Sequence, residues 1–172
     1  MDTLTAAERH LVHYARYHRD PRNIATHFIG IPLIVLSLGV LLAQPELWQG
    51  LTPAMVAWAA ATLWMVGQGH LPLALATAVI NGLLLLAGAV VADWGSPLTW
   101  GLALFGVGWV FQFVGHYYEG RKPAFMDDLR GLLVGPMFIT AEALFAIGRL
   151  LPLKATIETG AGPTRLRDLA AQ

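Results

Sequence analysis

Residues 71–92 have the sequence LPLALATAVINGLLLLAGAVVA, which contains no charged side chain. A stretch of about 20 apolar residues is long enough for a helix to cross the hydrocarbon core of a bilayer. Its two polar side chains, Thr77 and Asn81, are too few to give a helix a water-facing side. The stretch therefore predicts a transmembrane helix, and it decides how the rest of the chain is interpreted.

Further apolar runs of comparable length lie on both sides of this stretch, at residues 23–43, 51–67, 98–115 and 131–151. Over all 172 residues, 56% are hydrophobic and only 13% are charged, which is too apolar for an ordinary water-soluble domain. The sequence therefore predicts an all-α, polytopic membrane helical bundle with four to five transmembrane helices.

The basic residues define the orientation of these helices. All eleven lysines and arginines lie before the first run, in the loop 117–130 or after residue 148, whereas the loops 43–52, 66–71 and 92–97 carry none. Basic loops stay on the cytoplasmic side of a membrane. Four crossings return the loop 117–130 to the side of the N-terminus, and the turn at His70 faces that side too. We therefore expect all six histidines to gather at the cytoplasmic face.

The chain before the first run predicts an amphipathic helix over residues 5–18. Thr5-Ala-Ala-Glu8 has the pattern of a capping box, in which the two side chains bind free backbone N–H groups at the helix start. The helix ends before Pro21, because the residue preceding a proline is pushed out of helical geometry. The stretch 1–23 has no apolar core or cleavage site of a signal peptide, so we expect it to belong to the mature protein.

The last apolar run differs from the others. Gly135-Pro136 and Glu142 interrupt it, which favours a broken or re-entrant helix over a straight crossing. We expect residues 1–153 to form one membrane-embedded domain and residues 154–172 a flexible C-terminal tail. The residues at the end of the chain form no retrieval signal, which favours a bacterial inner membrane over the endoplasmic reticulum.

Composition excludes several classes of function. Without cysteine the chain has no disulfide, thiolate nucleophile or iron–sulfur ligand. A formal net charge of +0 excludes the basic surface that nucleic-acid binding needs. The remaining partners to expect are membrane lipids, and the sequence does not indicate an oligomeric state.

The first polar cluster lies where the amphipathic helix meets the first apolar run. Tyr14 and His18 are four residues apart on one helix face, and His27 stands near the start of the next helix. A bend at Pro21 can fold both imidazoles toward one point, as a borderline metal ion requires. Alternatively, these residues anchor a helix at the membrane interface, and Asn23 is the N-cap of the first crossing.

The second polar cluster ends the run 98–115. Gln112 and His116 share a helix face, and Glu119 follows three residues later, so a ligand histidine has a carboxylate close by. Polar groups at lipid depth are costly unless they face the bundle interior or a site. The alternative is that they meet water at the headgroup boundary. Arg121 is suited to a lipid phosphate or a substrate carboxylate.

His70 is a further candidate ligand, since the predicted topology brings its Gly-flanked turn to the face that carries the other histidines. Two other classes of function remain open at this point. One is a haem or quinone electron carrier with His27 and His116 on opposite sides of a haem. The other is a non-catalytic, lipid-binding scaffold whose histidines are merely interfacial.

The two clusters resemble the membrane-embedded 2-hydroxy fatty acid dioxygenases over roughly residues 14–151. The first shared motif is Tyr-x3-His-x4-Asn-x3-His-x2-Gly-x-Pro, carried here by Tyr14, His18, Asn23, His27, Gly30 and Pro32. The second, Gln-Phe-x-Gly-His-x2-(Phe/Tyr)-Glu-x-Arg-x-Pro-Ala, is nearly matched from Gln112 to Ala124. It departs at Tyr117-Tyr118, which directly precedes Glu119. His70 has no place in either motif.

This resemblance implies an Fe(II)-dependent, non-haem enzyme of fatty acid α-oxidation. Such an enzyme uses O2 to shorten a long-chain 2-hydroxy fatty acid by one carbon, which leaves as CO2. The implied metal ligands are His18, His27 and His116, with His70 or Glu119 as a less favoured fourth. The resemblance further implies supporting roles for four residues: Glu119 orienting His116, Tyr14 or Gln112 bonding oxygen or substrate, and Arg121 holding the substrate carboxylate.

Overall fold

The apolar runs form helices throughout the part of the chain that a computed structural model describes, residues 4–44 and 46–169. Seven α-helices occur there, with a short 3-10 turn at Ala124–Met126. They are α1 (Ala6–Ala15), α2 (Pro21–Leu41), α3 (Pro53–Gly67), α4 (Leu71–Ala92), α5 (Pro97–Glu119), α6 (Gly131–Ala146) and α7 (Leu151–Ala161). The predicted all-α membrane bundle is confirmed. The outer limits of the predicted domain and tail, residues 1 and 172, lie outside the described residues.

Three helices are long and apolar enough to cross a bilayer: α2, α4 and α5, with 21, 22 and 23 residues. The helix α3 is equally apolar, but its 15 residues fall short of the roughly 20 that a crossing needs. The helices α6 and α7 are long and apolar enough for a crossing only when they are taken together, and the chain bends by 119° between them. The four to five predicted crossings are therefore three straight ones, the short α3 and a bent pair.

The break in the last apolar run lies later than the sequence suggests. Gly135 and Pro136 are inside α6, where the proline removes one backbone hydrogen bond without ending the helix. The chain reverses instead at Gly148 and Leu150, whose φ angles of 74° and 53° are left-handed. A left-handed residue redirects the chain more sharply than a missing hydrogen bond, because it changes the direction of the backbone itself.

The start of the predicted C-terminal tail is helical. Residues 154–161 continue α7, which packs on α1. Leu153 and Ile157 of α7 belong to the hydrophobic core, with only 3% and 1% of their surfaces exposed. The domain boundary at residue 153 stays a prediction. The segment 162–168, which follows α7, has no regular secondary structure.

The start of α1 agrees with the prediction from the sequence, whereas its end differs. The capping box is present: Thr5 N–H donates to the Glu8 carboxylate at 2.6 Å, and Glu8 N–H donates to the Thr5 hydroxyl at 3.2 Å. The helix α1 ends at Ala15 instead of His18, because Asp20 caps α2 and the chain must turn before it. The helix α2 therefore already includes Asn23, which is not its N-cap.

Glycines bring the central helices together. A Cβ atom added at Gly108 of α5 would lie 2.9 Å from the Gly30 carbonyl of α2, and one added at Gly39 of α2 would lie 2.7 Å from the Leu85 carbonyl of α4. Such separations are too short for any side chain. Small residues at these crossings let helix backbones approach closely within a membrane. The helix α2 consequently packs most extensively on α5 and then on α4.

The helix α1 lies across one end of this bundle. Ala7 N–H donates to the Gln68 carbonyl at 2.9 Å, which joins α1 to the turn between α3 and α4. Arg121, after α5, donates to the Arg16 carbonyl at 3.1 Å. Both observations agree with the topology predicted from the charges, in which these segments share one membrane face.

Candidate metal centre

Three histidines from three different elements meet under α1. His18 lies in the turn between α1 and α2, His27 in the second turn of α2, and His116 in the last turn of α5. Their exposed fractions are 0%, 1% and 6%. One ring nitrogen of each lies within 4.8 Å of the other two, so the three imidazoles could hold a metal ion.

Hydrogen bonds orient two of these rings. The Nδ1 atoms of His18 and His27 lie 2.7 Å from the Tyr14 carbonyl and 2.9 Å from the Asn23 carbonyl. A carbonyl oxygen only accepts, so each Nδ1 must carry the proton and each Nε2 is left with a lone pair. The two Nε2 atoms face each other at 3.1 Å. Two lone pairs at this distance repel unless a cation lies between them.

A proton is a poor candidate for this cation. Burial, together with the neighbouring imidazoles of His27 and His116, holds the pKa of His18 well below its ordinary value. The ring is therefore neutral near pH 7, which is the form that binds a metal. A first-row metal ion about 2.1 Å from each nitrogen holds neighbouring ligand atoms about 3.0–3.4 Å apart. The 3.1 Å spacing between the Nε2 atoms of His18 and His27 fits such an ion.

A polar network fixes the turn that carries His18. The Glu119 carboxylate accepts from the backbone N–H of Arg19 at 2.9 Å, from that of Asp20 at 2.8 Å and from Asn23 Nδ2 at 3.1 Å. Hydrogen bonds to an ionised group are stronger than neutral ones. Glu119 thereby ties the end of α5, near His116, to the α1–α2 turn.

Aromatic side chains close the other side of His18. The Tyr14 ring stacks on the imidazole with centroids 4.0 Å apart and an interplanar angle of 7°. Phe138 of α6, which is fully buried, lies with its ring centroid 5.6 Å from that of His18. These contacts leave the His18 ring little freedom to turn away from the other two histidines.

An apolar cavity of about 270 Å³ opens beside the histidines, between α2, α5 and α6. His27, His116, Gln112 and Tyr14 form its polar end, and apolar side chains such as Leu38 form the remainder. The Gln112 Nε2 atom is buried and has no hydrogen-bond partner among the described residues. A buried donor without a partner is costly, and Gln112 is one of the residues that line the cavity.

Two predicted residues lie apart from this cavity. His70 is the N-cap of α4, where its Nδ1 accepts from Leu73 N–H at 3.4 Å, and it is not among the three grouped histidines. Arg121 lines a separate, polar cavity near the chain's C-terminus. The sequence motif could not reveal this, because the left-handed Gly120 ends α5 and turns the chain away from the histidines.

The expected roles of the remaining residues are partly changed. Glu119 holds the backbone next to His18, and no hydrogen bond between it and His116 occurs among the described residues. The Gly135-Pro136 pair, interpreted from the sequence only as an interruption, lines the cavity. The contact between Phe138 and His18 was not predicted, because a phenylalanine within an apolar run does not stand out in the sequence.

The geometry argues against a haem held by His27 and His116. Axial histidines lie on opposite faces of the porphyrin ring. Here the two imidazoles pack edge to face, with centroids 5.2 Å apart and an interplanar angle of 82°. His18 completes the group on the same side, which leaves no gap for a macrocycle.

Comparisons with known proteins agree with these observations. The family model described as 2-hydroxy-palmitic acid dioxygenase Mpo1-like matches residues 4–70 and 70–147. The chain is 36% identical over 150 residues to the 2-hydroxy-palmitic acid dioxygenase MPO1 of Saccharomyces cerevisiae, which covers 84% of this chain and 83% of the yeast protein. No solved structure shows a significant match.

Proposed function

The chain belongs to the Mpo1-like family of 2-hydroxy-palmitic acid dioxygenases, and we propose that it is a non-haem Fe(II) enzyme that shortens 2-hydroxy fatty acids by one carbon. One observation carries the proposal: three buried imidazoles converge, and two of them, His27 and His116, line an apolar cavity. A metal site and a compartment for an acyl chain are what this reaction requires.

The overall reaction balances without a further reductant. A 2-hydroxy acid and O2 give the acid shorter by one carbon, CO2 and water. The bond between the carboxyl carbon and the hydroxyl-bearing carbon breaks, and the latter becomes the new carboxyl carbon. Four electrons pass from the substrate to O2, so no NADH, ferredoxin or second substrate is needed.

His18, His27 and His116 are the residues that would hold the iron. Imidazole ligands without thiolate suit Fe(II), and three protein ligands leave further positions open. When bound, Fe(II) supplies the one-electron chemistry with O2 that amino-acid side chains lack. The carbonyls of Tyr14 and Asn23 fix the tautomers of His18 and His27, which keeps both Nε2 atoms available.

We propose that the substrate binds in the apolar cavity. We assign the acid head group to the polar end, where the unpartnered Gln112 Nε2 and the Tyr14 hydroxyl can donate hydrogen bonds. Burial raises the pKa of Tyr14 well above its ordinary value, so its hydroxyl remains a donor at any physiological pH. The acyl chain then lies along Ile31, Leu38 and Phe105.

The membrane explains why this site lies at one end of the bundle. A long-chain 2-hydroxy acid partitions into a leaflet with its head group at the interface, so head group and histidines meet at the same depth. We place this face on the cytoplasmic side of the membrane, because the basic segments flank it. The substrate then reaches the cavity from the bilayer.

Anaerobic reconstitution tests the proposal. Purified protein is stripped with a chelator and loaded with Fe(II), and O2 and carboxyl-labelled 2-hydroxypalmitate are then added. Mass spectrometry should detect pentadecanoate and labelled CO2 in equal amounts, and only with iron. Palmitate, which lacks the hydroxyl group, serves as the control and should stay unchanged. Product from a metal-free sample would contradict the proposal.

Filling the cavity provides an independent test. A side chain at Gly135 begins 3.1 Å from the Tyr14 hydroxyl and 3.2 Å from Ile31 Cδ1, so Gly135→Leu should occupy the substrate's space. We expect kcat/KM for 2-hydroxypalmitate to fall by about tenfold or more, with iron content unchanged. Gly106→Leu is the matched control, since a Cβ there meets nothing within 4 Å. Equal kcat/KM in both variants would show that the acyl chain of the substrate does not occupy this cavity.

A further inference from the structure

A second cavity lies on the same membrane face, and its lining is basic. Its volume is about 910 Å³, and the turn after α1, the end of α5 and the segment 160–168 surround it. Three acidic residues and five arginines line it. The arginines are Arg16, Arg19, Arg121, Arg165 and Arg167. The cavity is distinct from the apolar one, with which it shares no lining residue.

The acidic residues of this cavity are already engaged. Asp20 accepts from the Arg22 guanidinium at 2.7 Å and from Arg167 N–H at 2.8 Å. The hydrogen bond from Arg22 lowers the pKa of Asp20 to about 2, so this carboxylate stays ionised and paired. Glu119 binds the backbone of the α1–α2 turn, as described above. The side-chain partner of Asp20 is Arg22, which does not line the cavity, and the donors to Glu119 are backbone N–H groups and the Asn23 amide.

Three of the arginines donate hydrogen bonds to backbone carbonyls. Arg16 donates to the Gly160 carbonyl at 3.3 Å, and Arg121 donates to the Arg16 carbonyl at 3.1 Å. Arg19 donates to the carbonyls of His18 and Gly162 at 2.9 Å each. A carbonyl satisfies a guanidinium N–H group but does not cancel its charge.

Arg19 is the most buried arginine of this cavity, and its hydrogen bonds are incomplete. Only 9% of its surface is exposed, and its Nη2 atom has no hydrogen-bond partner in the described part of the chain. This atom lies 3.8 Å from the Glu142 carboxylate, which is close enough for an ion pair but beyond hydrogen-bond distance. A buried, incompletely bonded guanidinium beside a basic cavity is an unusual and costly arrangement.

We propose that this basic cavity binds a phosphate-bearing anion, either the headgroup of an anionic phospholipid or a soluble phosphate, and that the anion stabilises the turn between α1 and α2. Arginine forks match phosphate oxygens, and basic clusters at a membrane face attract anionic lipids. The turn is coupled directly to the cavity, because Arg165 N–H donates to the Arg19 carbonyl at 2.9 Å.

Binding is tested by native mass spectrometry of the full chain with phosphatidylglycerol and, separately, phosphatidylcholine of the same acyl chains. We expect phosphatidylglycerol to bind at least about tenfold more tightly, and Arg16→Gln with Arg121→Gln to remove most of this preference. Lys122→Gln with Arg130→Gln is the matched control, since both lie in the neighbouring loop but outside the cavity. Equal binding of the two lipids, or equal loss in both double variants, would overturn the proposal.

A competition arm identifies the source of the phosphate. Displacement of phosphatidylglycerol by millimolar inorganic phosphate supports a soluble ligand, and persistence supports a lipid. Hydrogen exchange of the peptide covering residues 16–24 should slow when the anion binds, in the wild type and the control but not in the cavity variant. Unchanged exchange in all three proteins would contradict the stabilisation of the turn. Neither readout depends on iron or on turnover, so the result is independent of the proposed reaction.

Discussion

Replacing His18, His27 or His116 by alanine should abolish both iron retention and the formation of shortened fatty acid. Each replacement removes one of three nitrogens that lie within 4.8 Å of one another. Losing an outer hydrogen-bond partner of a metal ligand already costs about 10–100-fold in affinity, and losing the ligand itself should cost more. Iron per protein chain, measured by mass spectrometry, and turnover of 2-hydroxypalmitate check the result.

Two controls separate ligand loss from unfolding. Glutamine in place of each histidine nearly preserves volume and a hydrogen-bonding group, so a folded but iron-free glutamine variant isolates the role of the imidazole. His70→Ala and the exposed His13→Ala should retain iron, because neither side chain belongs to the group of three. Stoichiometric iron in an active His18→Ala, His27→Ala or His116→Ala protein would exclude the proposed centre.

Gly115→Ala should damage the protein directly beside the histidines. A Cβ at this position would collide with Thr26 Oγ1 and Asn23 Oδ1 of α2 and lie 3.1 Å from His27 Nδ1. Relief requires α2 and α5 to separate exactly where His27 faces His116. Overpacking of this kind costs about 1–3 kcal/mol, and here it should also lower the affinity for iron.

Gly106→Ala on the same helix is the comparison. A Cβ there meets nothing within 4 Å, and alanine favours a helix over glycine by about 1 kcal/mol. Thermal unfolding in detergent and iron content should therefore be lower for Gly115→Ala and unchanged or slightly higher for Gly106→Ala. Equal unfolding temperatures for the two variants would show that the close contact at Gly115 does not matter.

The charge pattern was a reliable guide to topology. Basic residues before α2 and after α5 predicted one shared face, and the hydrogen bonds from Ala7 to Gln68 and from Arg121 to Arg16 agree with it. The pattern is informative because a guanidinium is costly to move across lipid, whatever the fold around it. The same argument failed for His70, since sharing a membrane face does not imply sharing a site.

The position of the break in the last apolar run could not be predicted from residue types. The sequence drew attention to Gly135-Pro136, which carry the residue types that interrupt helices. The chain turns instead at residues 147–150, where Leu150 adopts a left-handed φ of 53°. Nothing in the residue type predicts this conformation for leucine. The packing of α7 on α1 is what compensates for it, and that packing is a property of the assembled bundle.

Hydropathy, charge and residue spacing are local properties, so they were enough to predict the helices, their shared face and the candidate histidines. The convergence of three imidazoles, the anchoring of the α1–α2 turn by Glu119 and the place of Arg121 in a second cavity became visible in the folded chain. These results depend on distances between residues that are about 100 positions apart in the chain. The close crossing of α2 and α5 at their glycines sets those distances, and no local pattern encodes how two helices cross.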